Sequence, residues 1–379
     1  MDQDLTRRNL LRGGLRLGAG AAVVGGLPGL LAACGSSKSS STATTTAAGT
    51  ATTKAGAGTT AAAAMADLGK MSLRLSWIKN SEFAGSYVAD DKGYYKANGF
   101  SSVELIAGGP TATPIEVDVQ TGKALVGISA PDLAGAAIAK GADLIIIGAQ
   151  YQKNPFCVMS LAKTPIKTPQ DMYGKKFGLQ AANQSVWDAF VKASGIDDSK
   201  ITKVPAQFDP QPLVNGEVDG WMSFVTNEPN LLKVKGVDTA SFLLADFGYP
   251  LVSEVYVVKK ESITKKRDAL KAFLKSEIQG WRDVYKDPAL GAKLTTEKYG
   301  KDLGLDTAEQ QLEVEAENLL IWTADTKANG VFTVTDKLIA ENIEVLKKGG
   351  LTLTAAQLFD FSLLAEVYAK YPDLKVAPK

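Results

Sequence analysis

Trp77, Asn80 and Phe83 fall three residues apart in the stretch LSWIKNSEF. An indole and a phenyl ring can stack on a flat heterocycle, and a carboxamide can both donate to and accept from its polar edge. The same residue types recur further along: Ser129; Tyr151; Gln180, Gln184 and Trp187; Phe224, Asn227 and Glu228; Tyr249. Arginine is missing from the turns that carry them, and Lys79 and Lys153 are the only cations there. A phosphate or sulfonate would recruit arginine or several aimed backbone amides. The inventory therefore favours a small, neutral, multiply hydrogen-bonding aromatic ligand. Any one of these aromatics could instead fill core, and Trp187, at helical spacing from Phe190, carries both readings equally. Trp281 and Trp322, on helical segments far from any turn, are read as core.

Much other chemistry is excluded. The chain has no histidine and two cysteines, Cys34 and Cys157. A Ser-His-Asp triad, histidine acid–base catalysis and ordinary zinc sites have no residues to work with. Cys157 sits in the apolar run PFCVMSLA and reads as a small buried hydrophobe. No catalytic residue, metal or cofactor is expected.

Before Cys34 runs TRRNLLRGGLRLGAGAAVVGGLPGLLAAC, with arginines at 7, 8, 12 and 16 and then a Gly/Ala-rich apolar stretch. Its paired Arg7 and Arg8 resemble a twin-arginine export signal, with Asn9 a slight departure, and Leu31–Cys34 resembles a lipobox that directs lipid to Cys34. As a membrane-spanning helix the stretch is short, glycine-rich and interrupted by Pro28. Residues 1–33 are accordingly read as an export signal and 34–67 as lipidated Cys34 plus a Ser/Thr/Ala-rich tether, whose composition cannot bury a core. Of 42 basic and 41 acidic residues, four arginines and two aspartates precede Cys34, leaving 38 against 39. That near-neutral body gives no support to a nucleic-acid partner.

The rest of the chain alternates strand and helix signals, which predicts an α/β architecture. Strands are expected over 73–78, 101–109, 125–130 and 143–151, the first followed by a helix over 83–97. The pattern restarts near KTPQDMYGKKFGLQ, where Thr168 and Pro169 mark a helix start. Two lobes follow: 68–155 as the first part of lobe 1, 156–250 as lobe 2, and 251–379 as a return to lobe 1 with C-terminal helices. Each lobe is expected to be a doubly wound, mostly parallel sheet. Crossings near 150–160 and 248–258 would make a hinged clamshell with a cleft at the strand ends.

The spacing W-x-x-N-x-x-F-A-G-x-Y-V-A-x-x-K-G-Y-Y over Trp77–Tyr95 carries a resemblance, as do GKALVGISAPD and LVNGEVDGWMSFVTNEP. Together they resemble the solute-binding proteins of ABC importers that handle thiamine pyrimidine precursors, riboflavin, sulfonates and nitrate. The likeness covers most of 70–260. It implies the type II periplasmic-binding-protein fold and a monomeric, lipid-anchored, extracytoplasmic receptor for a small molecule, served by a permease and an ATPase. The Trp77–Asn80 pair and Asn227–Glu228 look most like the pyrimidine and flavin members. The same role for a sulfonate, nitrate or other small anion is the alternative, and an interaction lipoprotein with a vestigial cleft is a reading from another class. A fungal pyrimidine synthase shares the fold but consumes its own histidine, which this chain lacks.

Overall fold

The computed structural model describes residues 67–109 and 111–378. The export-signal, Cys34 and tether readings lie outside these residues. Ten strands form two five-stranded sheets. The first contains β1 (Lys70–Arg74), β2 (Ser102–Ile106), β3 (Val126–Ser129), β4 (Leu144–Tyr151) and β10 (Ser253–Lys259), in the order β2-β1-β3-β10-β4. The second contains β5 (Phe156–Leu161), β6 (Lys176–Gln180), β7 (Thr202–Ala206), β8 (Gly220–Phe224) and β9 (Thr239–Leu243), in the order β7-β6-β8-β5-β9.

Both sheets are mostly parallel, as expected: four of the five strands in each run the same way, and a single strand, β10 or β5, runs against them. β1 runs parallel to β2 and β3, but β10 is antiparallel to both β3 and β4. In the second sheet β6 is parallel to β7 and β8, while β5 is antiparallel to β8 and β9. The reason is topological. β5 and β10 are the strands that follow the two crossings, so each enters its sheet against the direction of the strands beside it.

β4 reads LIIIGAQY and is buried at every position, as expected of a strand covered on both faces. β1 ends at Arg74, short of the expected 78, so Ser76 and Trp77 lie in the turn beyond it. The expected helix over 83–97 is broken: a single turn Ser81–Phe83, a helix Ala84–Asp91, then Tyr94–Ala97 after Gly93 at φ 71°. The long helix Arg267–Lys286 packs across Ala84–Asp91, where a Cβ on Gly280 would lie 2.0 Å from the carbonyl oxygen of Gly85. Only glycine permits that approach.

The C-terminal helices do more than cover lobe 1. Thr307–Ile321 packs against the Ser81–Phe83 turn and β4, and also against Glu228–Val234 of lobe 2. On the other side, Asp336–Lys348 touches both Pro131–Ala139 of lobe 1 and Gln184–Ser194 of lobe 2. An apolar core runs through that second junction, from Ala134 and Ile146 to Val345, Trp187 and Phe190.

Candidate ligand-binding site

Between the sheets lies a cavity of about 330 Å³, within the size range of small-molecule sites. Its walls come from the strand ends and following turns of both lobes. Arg74, Ser76, Trp77 and Glu82 follow β1; Thr113, Pro114 and Glu116 follow β2; Ser129 ends β3 and Glu254 stands in β10. Lobe 2 contributes Phe156, Gln180, Asn183, Phe224, Asn227 and Glu228. Close packing sets the position of the first turn. Gly108 donates its N–H to the carbonyl of Trp77 at 2.7 Å, and a Cβ there would meet the Ser76 carbonyl oxygen at 2.6 Å.

Arg74 is the only cation among the described residues of the lining, and it is committed. Its Nε donates to Asp118 Oδ2 at 2.8 Å, its Nη2 to the Thr113 carbonyl at 2.9 Å, and its Nη1 to the Leu75 carbonyl. Lys123 joins Asp118 from the solvent side at 3.1 Å. The guanidinium thus braces the Thr113 loop, and its charge is balanced before any ligand arrives.

Carboxyl groups outnumber cations in the cavity. Ser76 Oγ donates to Glu254 Oε2 at 2.6 Å and lies 3.2 Å from Glu82 Oε1. Both glutamates are almost wholly buried. Burial, partly offset by hydrogen bonds, raises Glu82 to about 7. Burial and the charge of Glu82 push Glu254 well above the usual carboxylate range. Two like charges this close cannot both ionise in a low dielectric, so the pair retains a proton at neutral pH. Glu254 also holds a left-handed backbone, φ 48°, a costly conformation for a residue with a Cβ. Across the cleft, Glu228 Oε2 accepts from Ser223 Oγ and the Phe224 N–H, each at 2.9 Å, and burial raises it to about 6. Glu116 accepts from the Ser129 hydroxyl.

The apolar walls are aromatic. Phe156 and Phe224 meet edge to face with centroids 4.5 Å apart, and Trp77 stands half-buried on the lobe 1 side. Gln180 donates its Nε2 to the Met222 carbonyl at 2.9 Å and accepts from Asn183 Nδ2 at 3.1 Å, so its amide is held in one orientation.

Of the residues read from the sequence, Trp77, Ser129, Gln180, Phe224, Asn227 and Glu228 line the cavity. Six others require correction. Asn80 is buried behind the first turn, where its Nδ2 donates to Glu313 Oε1 at 2.6 Å; it is not a solvated cleft amide. Phe83 and Tyr151 are fully buried in the lobe 1 core. Trp187 packs on Phe177 and Phe190 and donates its Nε1 to Asp198 at 2.8 Å. Gln184 points outward to Asp188, one helical turn along. Tyr249 donates its hydroxyl to the buried Asp132 at 2.7 Å. Tyr151, Gln184 and Trp187 follow the pleat or helix face into core or solvent rather than into the cleft, and Asn80 and Tyr249 are turned away by the irregular segments that carry them. Lys79 and Lys153 lie outside the lining, Lys153 in an exposed pair with Asp246.

The pattern of the NMT1/THI5-like family matches residues 80–290, more than half of the chain. This chain belongs to that family. The formylaminopyrimidine-binding protein of Halalkalibacterium halodurans is 26% identical to it over 265 residues, covering 67% of this chain and 77% of the relative. The riboflavin-binding protein RibY of Chloroflexus aurantiacus is 24% identical over 307 residues, covering 76% and 83%. Among solved structures, the aliphatic sulphonate-binding protein SsuA of Escherichia coli superposes with a TM-score of 0.55 at 16% identity, covering 73% of this chain and 85% of that one. The fold is that of the periplasmic binding proteins.

Within this NMT1/THI5-like chain, sequence reasoning passed over Arg74, Ser76, Glu82, Phe156 and Glu254. Two of them left a signal. Glu254 is a lone carboxylate in the apolar strand SEVYVVK, and Glu82 adjoins the polar turn after β1. An ionisable group inside a strand that is otherwise buried marks a site more sharply than an aromatic does.

Proposed function

We propose that this protein is the extracytoplasmic substrate-binding component of an ABC importer, and that its ligand is a small aromatic heterocycle with a donor-rich edge. The observation that carries this is the pairing of aromatic walls with carboxyl groups in a cavity whose one cation is already neutralised. Trp77, Phe156 and Phe224 offer faces for stacking. The Glu82–Glu254 pair, sharing a proton, offers an acceptor beside a donor, and Glu228 offers a further acceptor from the opposite lobe. An amino group next to a ring nitrogen matches such an edge; a sulfonate or nitrate would face carboxylates with no free cation to balance it. A thiamine pyrimidine precursor or riboflavin fits this chemistry, a reading supported by the names of two relatives, the formylaminopyrimidine-binding and riboflavin-binding proteins. The protein acts as a receptor rather than an enzyme, a monomer held to the cell membrane through lipid on Cys34 and handing its ligand to a permease driven by an ATPase.

Mass spectrometry of small molecules released from the purified, denatured protein tests the ligand class directly. Tryptophan-fluorescence titration with aminopyrimidines, riboflavin, alkanesulfonates and nitrate follows. Binding of an amino-heterocycle or flavin is expected. Selective binding of the anions would overturn the ligand class, and no ligand in either experiment would favour a vestigial cleft.

A further inference from the structure

Glu313 joins three parts of the molecule through one carboxylate. Its Oε1 accepts from Asn80 Nδ2 of lobe 1 at 2.6 Å and from Asn227 Nδ2 of lobe 2 at 3.0 Å, and its Oε2 accepts from Gln310 Nε2 at 2.7 Å. Gln310 in turn accepts the Ser81 N–H at 2.7 Å, which fixes the helix Thr307–Ile321 to the first turn of lobe 1. The side chain of Glu313 is buried, and Asn227 also lines the ligand cavity.

The two sides of the cleft are joined by different forces. At Asp336–Lys348 the junction is apolar, with Val345 and Leu346 in the same core as Trp187 and Phe190. Parting it would return apolar surface to water, and nothing replaces what is lost. At Glu313 the junction rests on amide–carboxylate hydrogen bonds. Those exchange for hydrogen bonds to water at small net cost.

We propose that Glu313 is a positioning residue that ties the cleft-lining Asn227 to lobe 1, so that the cleft opens on this polar side and pivots on the apolar one. The bond from Asn227 is the latch, and the crossings with the Asp336–Lys348 junction form the hinge. This goes beyond the ligand reading and does not depend on which molecule binds.

The test uses ligand-free protein in a Cys34→Ala background, with Cys157 left in place because it is buried. Spin labels at positions 235 and 293 report the polar side, and labels at 192 and 347 report the apolar side. Glu313→Leu keeps the approximate size of the side chain and removes the oxygen that both amides share. The expected result is a second, longer distance population for the 235/293 pair with no shift for 192/347. Asn227→Ala should give the same lengthening, and the double variant no more than either alone. A merely structural role for Glu313 would broaden both pairs, and additive effects of the two substitutions would overturn the latch, as would distributions unchanged from the parent. Should Glu313→Leu fail to fold, Asn227→Ala alone decides, since an unaltered 235/293 distance in that variant also overturns the proposal.

Discussion

The guanidinium of Arg74 and the carboxylate of Asp118 meet at 2.8 Å, with both side chains almost fully buried at the wall of the cleft. This ion pair engages the one positive charge among the described residues that line the cavity. It also links the end of β1 to the helix Ile115–Gln120, and through the Thr113 carbonyl it shapes the rim of the cavity.

Arg74→Ala should therefore act on stability before binding. It leaves Asp118 buried with only Lys123 beside it, and a broken buried pair costs about 3–5 kcal/mol. Chemical denaturation is the check, and a loss well under 1 kcal/mol would show that Lys123 and water compensate fully.

Trp77→Ala should do the reverse. The ring is half-buried and borders the cavity, so its loss removes stacking area at modest cost to the fold. A weakening of about 1–3 kcal/mol, ten- to a hundredfold in Kd, is expected with whichever heterocycle the protein retains. Isothermal titration beside a thermal melt separates the two effects.

Asn80→Ala should lower stability even without ligand. The amide is buried and donates to Glu313, so removing it takes one partner from a buried carboxylate, at about 1–3 kcal/mol. An unchanged apo melting temperature would contradict that placement.

Stability should depend on pH in an unusual direction. Burial raises Glu82 to about 7, Glu228 to about 6 and Glu309 to about 7, and pushes Glu254, Glu313 and Glu317 well above the usual carboxylate range. Between the ordinary carboxylate range and these values the folded chain binds more protons than the unfolded one. The stabilisation from their protonated forms is full below the unfolded pKa and is lost as pH rises through the folded values. Surface carboxylates run the other way: hydrogen bonds to lysines hold Glu261 near 2, so its contribution fails only in strong acid. The melting temperature should peak near about pH 5 and fall towards about pH 8. Glu317→Gln should flatten that slope, and a profile rising from pH 5 to 8 would show that the carboxyl groups reach solvent.

If Cys34 carries the lipid, Cys34→Ala should release the protein from membranes, because stable attachment requires more than one acyl chain. Fractionation after a high-salt wash reads this out, and retention of the variant on the membrane would count against the anchor.

Sequence alone determined the α/β alternation, the absence of histidine chemistry, the point where the pattern restarts, and the residues at several strand ends. Periodicity and composition are local properties, and Trp77, Ser129, Gln180, Phe224, Asn227 and Glu228 stand next to the turns that local signals mark. Which side chains at those turns face the cleft was decided only by the tertiary structure. Asn80 and Trp77 are three residues apart, yet one points to Glu313 and the other to the cavity, because the chain bends between them and Asn80 donates its N–H back to the Ile78 carbonyl at 2.8 Å. The one antiparallel strand in each sheet, the left-handed backbone at Glu254 and the meeting of Ser76 with a residue 178 positions away belong to the same class. They arise where the chain crosses between lobes and comes back, and no local pattern encodes which distant strand it will join.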